Sequence, residues 1–168
     1  MCVMVQSGQC AIALGSNMGN SRAIMSAALE TLAQTPGIAL QARSSWYQTQ
    51  AVGPPQPDYI NGCALLHVQI PPQLLLKTLL LIEDQFGRVR SIRWGPRSLD
   101  LDLLLYNDLI LDTPTLTLPH PHMRERAFVL IPLAEIAPNW VEPVSGKVIA
   151  ELAQAVDYSG VHRLKAQA

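Results

Sequence analysis

The stretch Leu99-Asp100-Leu101-Asp102-Leu103-Leu104-Leu105 constrains this chain more than any other. The turn signal Gly95-Pro96 precedes it and Asn107-Asp108 follows it, so it reads as one strand. Residues two apart in a strand share a face, which sets Asp100 and Asp102 side by side with Cα atoms roughly 7 Å apart. Leu99, Leu101 and Leu103 take the other face, and the unbroken leucines carry the strand into a core. Two neighbouring carboxylates repel each other unless a cation lies between them. Oxygen ligands at this spacing suit Mg²⁺, which takes one or two carboxylates and completes its shell with phosphate and water.

Just upstream, Arg88, Arg90, Arg93 and Arg97 are four of the nine arginines, packed into ten positions. Guanidinium groups are flat forks of donors that match phosphate oxygens in pairs. An arginine-rich loop leading into a paired-aspartate strand therefore fits a polyphosphate with its metal. The same carboxylates would also suit ion pairs with Arg97 or Arg93 on a solvated face, and spacing alone does not choose between the two.

The 168 residues read as a single domain over 1–168, and with 49% apolar residues the chain can bury a core. A net charge of −1 argues against a nucleic-acid binder, which would carry a basic face. Cys2, Cys10 and Cys63 are odd in number and lack metal-type spacing, which reads as reduced thiols in a cytoplasmic protein. No charge precedes Arg22, so the start lacks the basic region of a signal peptide. The apolar run Leu74 to Ile82 is too short to span a bilayer.

In order, Gln9 to Leu14 reads as a strand, ended by Gly15-Ser16-Asn17. Asn20 or Ser21 caps a helix through about Gln34, stopped by Pro36-Gly37. Gly15 to Gly19 lacks the lysine of a phosphate loop and reads as a strand-to-helix turn. Ile38 to Thr49 is a second strand and Tyr59 to Ile70 a third, joined through Gly53-Pro54-Pro55-Gln56-Pro57. Tyr59 and Asn61 share a face at the strand entrance, where an aromatic and an amide can hold a flat heterocycle or simply serve packing and turn. Pro71-Pro72 opens a second helix running to Phe86, with Gly87 as its left-handed stop. Glu83 and Asp84 near its end face the arginine segment. After the aspartate strand come short pieces at Leu109 to Leu111 and Leu116 to Leu118. A helix from about Met123 to Ile131 follows, kinked or ended by Pro132. Val148 to Val156 reads as a helix and Gly160 to Leu164 as a last strand. His120 and His122 lack a third partner for zinc. The order implies an α+β fold: a ferredoxin-like βαββαβ antiparallel sheet with helices on one face and C-terminal additions.

Arg93-Trp94-Gly95-Pro96-Arg97 running into Leu99-Asp100-Leu101-Asp102-Leu103 resembles the signature of the 6-hydroxymethyl-7,8-dihydropterin pyrophosphokinase family. The likeness extends from Gly15-Ser16-Asn17 to about Pro143. It implies transfer of diphosphate from ATP to the hydroxymethyl group of that pterin in folate biosynthesis, with two Mg²⁺ ions between Asp100 and Asp102. It further implies catalytic roles for Arg88 and Arg97, and pterin contacts from Thr49, Val52, Tyr59, Asn61 and Phe128. ATP contacts are implied for Glu83, Arg90, Trp94, Leu103, Thr117, His120 and Arg126. No nucleic acid or membrane partner is expected, and a monomer is the default.

Three features depart from familiar members of that family. The loop from Arg90 to Arg93 is one residue short with Ser91 in place of a lysine, Pro121 follows His120, and Gln50-Ala51 follows Thr49. A non-catalytic sensor or RNA platform on the same fold is the competing reading.

Overall fold

The computed structural model describes residues 7–50, 55–87 and 98–165. Its centre is the strand β1 (Gly8–Ser16), flanked by β4 (Tyr59–Val68) on one side and β5 (Asp100–Tyr106) on the other, both antiparallel to it. β1 and β4 are buried nearly end to end, as expected of strands covered on both faces. Beyond β4 the sheet continues through β2 (Ile38–Arg43) and β3 (Tyr47–Thr49), both of which pair with β4, and then β8 (Val161–Arg163). The path is β5-β1-β4-β3-β8, with β2 branching from β4. The Ile38 to Thr49 strand expected from sequence is thus two strands. Ser44 breaks it by turning inward, its hydroxyl accepting from the Cys63 N–H at 2.9 Å.

Two helices cross one face. In α1 (Ser21–Gln34), Met25, Ala28, Leu29 and Leu32 are buried at helical spacing, and the Asn20 side chain accepts from the Ala23 N–H to cap it. In α2 (Pro72–Gln85), Leu75, Leu79 and Ile82 are buried, and Gly87 ends the helix at φ +77°. Both pack with Cys10, Ile12, Leu14, Leu99, Leu101 and Leu103.

The other face is covered too, by the elements at the C-terminal end. The helices α3 (Ala127–Ile136) and α4 (Ile149–Ala155) pack there on Ala11, Ala13, Cys63, Leu65, Leu104 and Leu105. A register shift between Ala11 and Ile12 leaves Leu104 as an extra residue on β5. The bulge turns Leu104 and Leu105 to the same face, so one leucine run feeds both cores.

The third helix also differs from its expected span. Met123–Glu125 form a short 3-10 turn, and α3 begins at Ala127 and carries Pro132 in its interior. Pro132 removes one helical hydrogen bond, yet it is buried and the helix continues because its ring packs into the core. The short pieces pair as β6 (Leu111–Asp112) and β7 (Thr117–Leu118) beside β5. Cys10 and Cys63 are free, buried thiols, and burial pushes Cys10 up to about 12 and Cys63 higher still, so both pack as small hydrophobes. No described helix is long and apolar enough to cross a membrane.

Candidate active site

Register assembles the site. Residues opposite one another in antiparallel strands share a face, so each row of partners is a row of neighbouring side chains. One row runs Asp100, Gly15, Asn61, Tyr47 and Arg163, from β5 across β1, β4 and β3 to β8. The next runs Asp102, Ala13 and Cys63, and on the other side Tyr59 faces Thr49. At about 4.8 Å per strand step, Asp100 and Asn61 lie roughly 10 Å apart across β1. Both aspartates are half-buried, as is Tyr59.

The residue between them has no side chain. A Cβ on Gly15 would come within 3.0 Å of Asn61 Nδ2 and 3.6 Å of the Tyr59 ring. Glycine at 15 lets the Asn61 amide and the Tyr59 ring lie close over β1, one strand from Asp100. Sequence reasoning took Gly15 for a turn residue; its role depends on register, which no local pattern displays.

Asn61 is buried and held by its neighbour. The Thr49 hydroxyl donates to Asn61 Oδ1 at 2.6 Å, which leaves the amide N–H donors for a ligand edge. The turn after β1 is tied to the loop before β4 by buried Asn17, whose Nδ2 donates to Gln56 Oε1 at 2.8 Å and to the Pro57 carbonyl at 2.9 Å. Phe128, half-buried in the first turn of α3, packs over the same sheet face, and the Arg126 guanidinium lies 5.6 Å from its ring centroid. Arg124 instead pairs with buried Glu142 at 3.6 Å.

On the outer side of β5 a cavity of about 280 Å³ gathers Glu83, Leu101, Asp102, Leu103, Thr117 and His120. Five of these six were singled out from sequence. Glu83 is almost fully buried, and its carboxylate accepts from the Leu101 N–H at 2.7 Å. That bond grips the edge strand between the two aspartates. Leu103 is buried in the core, so it offers the cavity a wall rather than a free side chain.

His120 is bound on both sides. Its backbone N–H donates to the Leu104 carbonyl at 2.9 Å, and its ring Nδ1 accepts from the His122 backbone N–H at 3.2 Å. Burial first, then the charges of Arg126 and His122, lower its pKa to about 4. The ring is therefore neutral near pH 7, with its proton on Nε2 as a donor.

Arg88, Arg90, Trp94, Arg97 and Val52 lie outside the described residues. The chain on either side of the arginine segment is nonetheless fixed: the Ser98 hydroxyl donates to the Phe86 carbonyl at 2.7 Å, and Leu99 is fully buried. Among the described residues no group of three or more His, Cys, Asp or Glu side chains could hold a metal by itself.

A profile of the family described as 7,8-dihydro-6-hydroxymethylpterin-pyrophosphokinase (HPPK) matches residues 11–138. The chain is 53% identical over 150 residues to the 2-amino-4-hydroxy-6-hydroxymethyldihydropteridine pyrophosphokinase of Synechocystis, spanning 89% of this chain and 77% of the relative. It is 45% identical over 154 residues to the protein of that name from Pseudomonas aeruginosa, spanning 91% and 94%. Among solved structures, wild-type Plasmodium falciparum HPPK-DHPS with pteroate superposes with a TM-score of 0.72 at 12% identity, over 92% of this chain and 43% of that one. The chain thus spans less than half of that solved protein, and at such low identity the likeness speaks for the fold alone. The matched region runs from β1 through α3 and takes in both aspartates, Asn61 and Phe128: the chain belongs to the 7,8-dihydro-6-hydroxymethylpterin-pyrophosphokinase family.

Proposed function

We propose that this chain transfers diphosphate from ATP to the hydroxymethyl oxygen of 6-hydroxymethyl-7,8-dihydropterin, releasing AMP and the pterin diphosphate, in tetrahydrofolate biosynthesis. The observation that carries this reading is the row Asp100-Gly15-Asn61, in which a carboxylate and a ring-reading amide share one face with only a glycine on the strand between them. A pterin seated on Asn61 would direct its hydroxymethyl group across β1 toward the aspartates. The reaction requires that hydroxyl to align with the β-phosphorus while charge spreads over the phosphates.

The donor set fits a hard divalent cation: two half-buried carboxylates on one face, with only glycine and alanine opposite them on β1. Asp100 and Asp102 would hold two Mg²⁺ ions, which when bound supply neutralisation at the phosphoryl oxygens. Tyr59 and Phe128 would stack on the two faces of the pterin, and Asn61, fixed by Thr49, would donate to its edge. The Thr49 and Val52 backbones would complete the ring contacts.

On the nucleotide side, neutral His120 would donate Nε2–H to a phosphate oxygen, with Arg126 beside it. Glu83 would keep β5 in place, and Leu103 and Thr117 would border the adenine. Arg90 and Trp94 would close over the nucleotide. Arg88 and Arg97 would stabilise the transition state, each by ~2–4 kcal/mol. We further read the sheet as ferredoxin-like and the enzyme as a cytoplasmic monomer without nucleic-acid or membrane partners. The antiparallel order β5-β1-β4-β3 supports the first, and the free thiols Cys10 and Cys63 fit a reducing compartment.

The test is chromatographic. The protein is incubated with ATP, Mg²⁺ and the pterin alcohol, and AMP is the expected nucleotide product. Formation of ADP alone would mean an ordinary kinase, and no turnover would favour a ligand sensor; either result overturns the reading.

A further inference from the structure

A second cavity, larger than the one beside Asp102, lies elsewhere among the described residues. A cleft of about 780 Å³ opens where the start of α1, the β2–β3 connection, the end of α3 and β8 come together. Four cations line it: Arg22, Arg43, Arg163 and Lys165. None of its lining residues belongs to the machinery proposed above.

The cations outnumber the single carboxylate of the cleft, Glu135, whose charge acts on Arg163. The Arg43 guanidinium lies over the Trp46 ring, 4.5 Å from its centroid. Arg22 Nη1 donates to the Lys165 carbonyl at 3.0 Å, and Arg163 stands opposite Tyr47 in the sheet register. The one carboxylate in the cleft, Glu135, accepts from the Tyr47 hydroxyl at 2.5 Å, the Ser45 N–H at 2.9 Å and the Ser45 hydroxyl at 3.1 Å. Among the described residues, none of the four cations lies within ion-pair distance of a carboxylate.

A chain with net charge −1 has more acidic than basic side chains to spare. Gathering four cations around one carboxylate in a concavity leaves an excess of positive charge that an anion would relieve. The volume is that of a small-molecule site, and guanidinium forks read phosphate oxygens in pairs. We propose that this cleft is a second anion site, which binds a small compound bearing a diphosphate group, either free or as a nucleoside diphosphate.

The test is an amide chemical-shift titration of isotope-labelled protein with inorganic diphosphate and, separately, with ADP, both without Mg²⁺. Saturable shifts are expected at Ser44, Ser45 and Arg163, resolved from any shifts at Asp100 to Leu103. Equal affinity for both probes would support recognition of the diphosphate alone, and tighter ADP binding would support a nucleoside source. The R43Q/R163Q double variant, changed at exposed positions, should bind at this cleft on the order of tenfold more weakly. Absence of shifts at Ser44, Ser45 and Arg163 at millimolar diphosphate, or undiminished affinity in a folded double variant, would overturn the proposal. If the variant does not fold, mapping on the parent chain decides. Shifts at Asp100 to Leu103 report separately on the reaction site, so either site can fail without the other.

Discussion

The Thr49 hydroxyl and the Asn61 amide oxygen are 2.6 Å apart, and both residues are buried. The bond fixes which end of the amide faces a ligand. Thr49→Val keeps the shape and removes the donor, leaving a buried acceptor unpaired at a cost of about 1–3 kcal/mol. KM for the pterin should rise roughly tenfold while KM for ATP stays put. Steady-state kinetics with each substrate varied in turn checks this; equal effects on both would mean the bond serves stability alone.

Gly15→Ala places a methyl group 3.0 Å from Asn61 Nδ2 and 3.6 Å from the Tyr59 ring. The amide must give way by a few tenths of an ångström. The expected result is weaker pterin binding with the melting temperature nearly unchanged, read by calorimetry with the pterin as titrant.

Glu83 accepts from the Leu101 N–H at 2.7 Å while almost fully buried. Glu83→Ala should destabilise the fold by about 1–3 kcal/mol and weaken nucleotide binding, because β5 loses its outer anchor. Glu83→Gln retains an acceptor oxygen and should recover most of the stability. Denaturant unfolding of the pair separates the hydrogen bond from the charge.

Asp102→Ala removes one of the two adjacent carboxylates on β5. AMP formation should fall by about two to three orders of magnitude with the circular dichroism spectrum retained. Nucleotide binding should also lose its dependence on Mg²⁺, which calorimetry with and without the ion would reveal. Parent-like turnover would remove the metal assignment.

His120 titrates at about 4 in the folded chain against an ordinary 6.5, chiefly because it is buried, with Arg126 and His122 adding to the effect. Between those values the unfolded chain binds the proton and the folded chain does not. Stability therefore rises with pH across this window and is lost as pH falls from the ordinary value toward the folded one. The ring is partly exposed, and screening reduces the loss to on the order of 1–2 kcal/mol. Urea midpoints measured near neutrality and near pH ~4.5 should converge less for the parent than for His120→Gln, whose stability lacks this dependence.

Local patterns exposed much of this architecture. Two-residue alternation placed Asp100 and Asp102 on one face, and helical spacing with Asn20 or Ser21 as cap located a helix to about Gln34, which is α1 with Asn20 as its cap. What stayed hidden depends on partners distant in sequence. The close approach of Asn61 and Tyr59 to Gly15 exists only in the register of β1 with β4. The break at Ser44 is set by a bond to Cys63, and the bulge at Leu104 by the need to feed two cores. Pro132, a helix breaker by local rule, sits inside α3 because burial outweighs one lost hydrogen bond. Roles for Arg88, Arg90, Trp94, Arg97 and Val52 rest on resemblance, since those positions lie outside the described residues.

The bond from Ser98 to the Phe86 carbonyl, beside fully buried Leu99, fastens the start of β5 to the end of α2. The footing of the acid pair therefore comes from the core and not from the arginines that precede it in sequence. An exchange among those arginines should change the grip on phosphate while the acid pair keeps its address. Evolution can edit the one without re-solving the other.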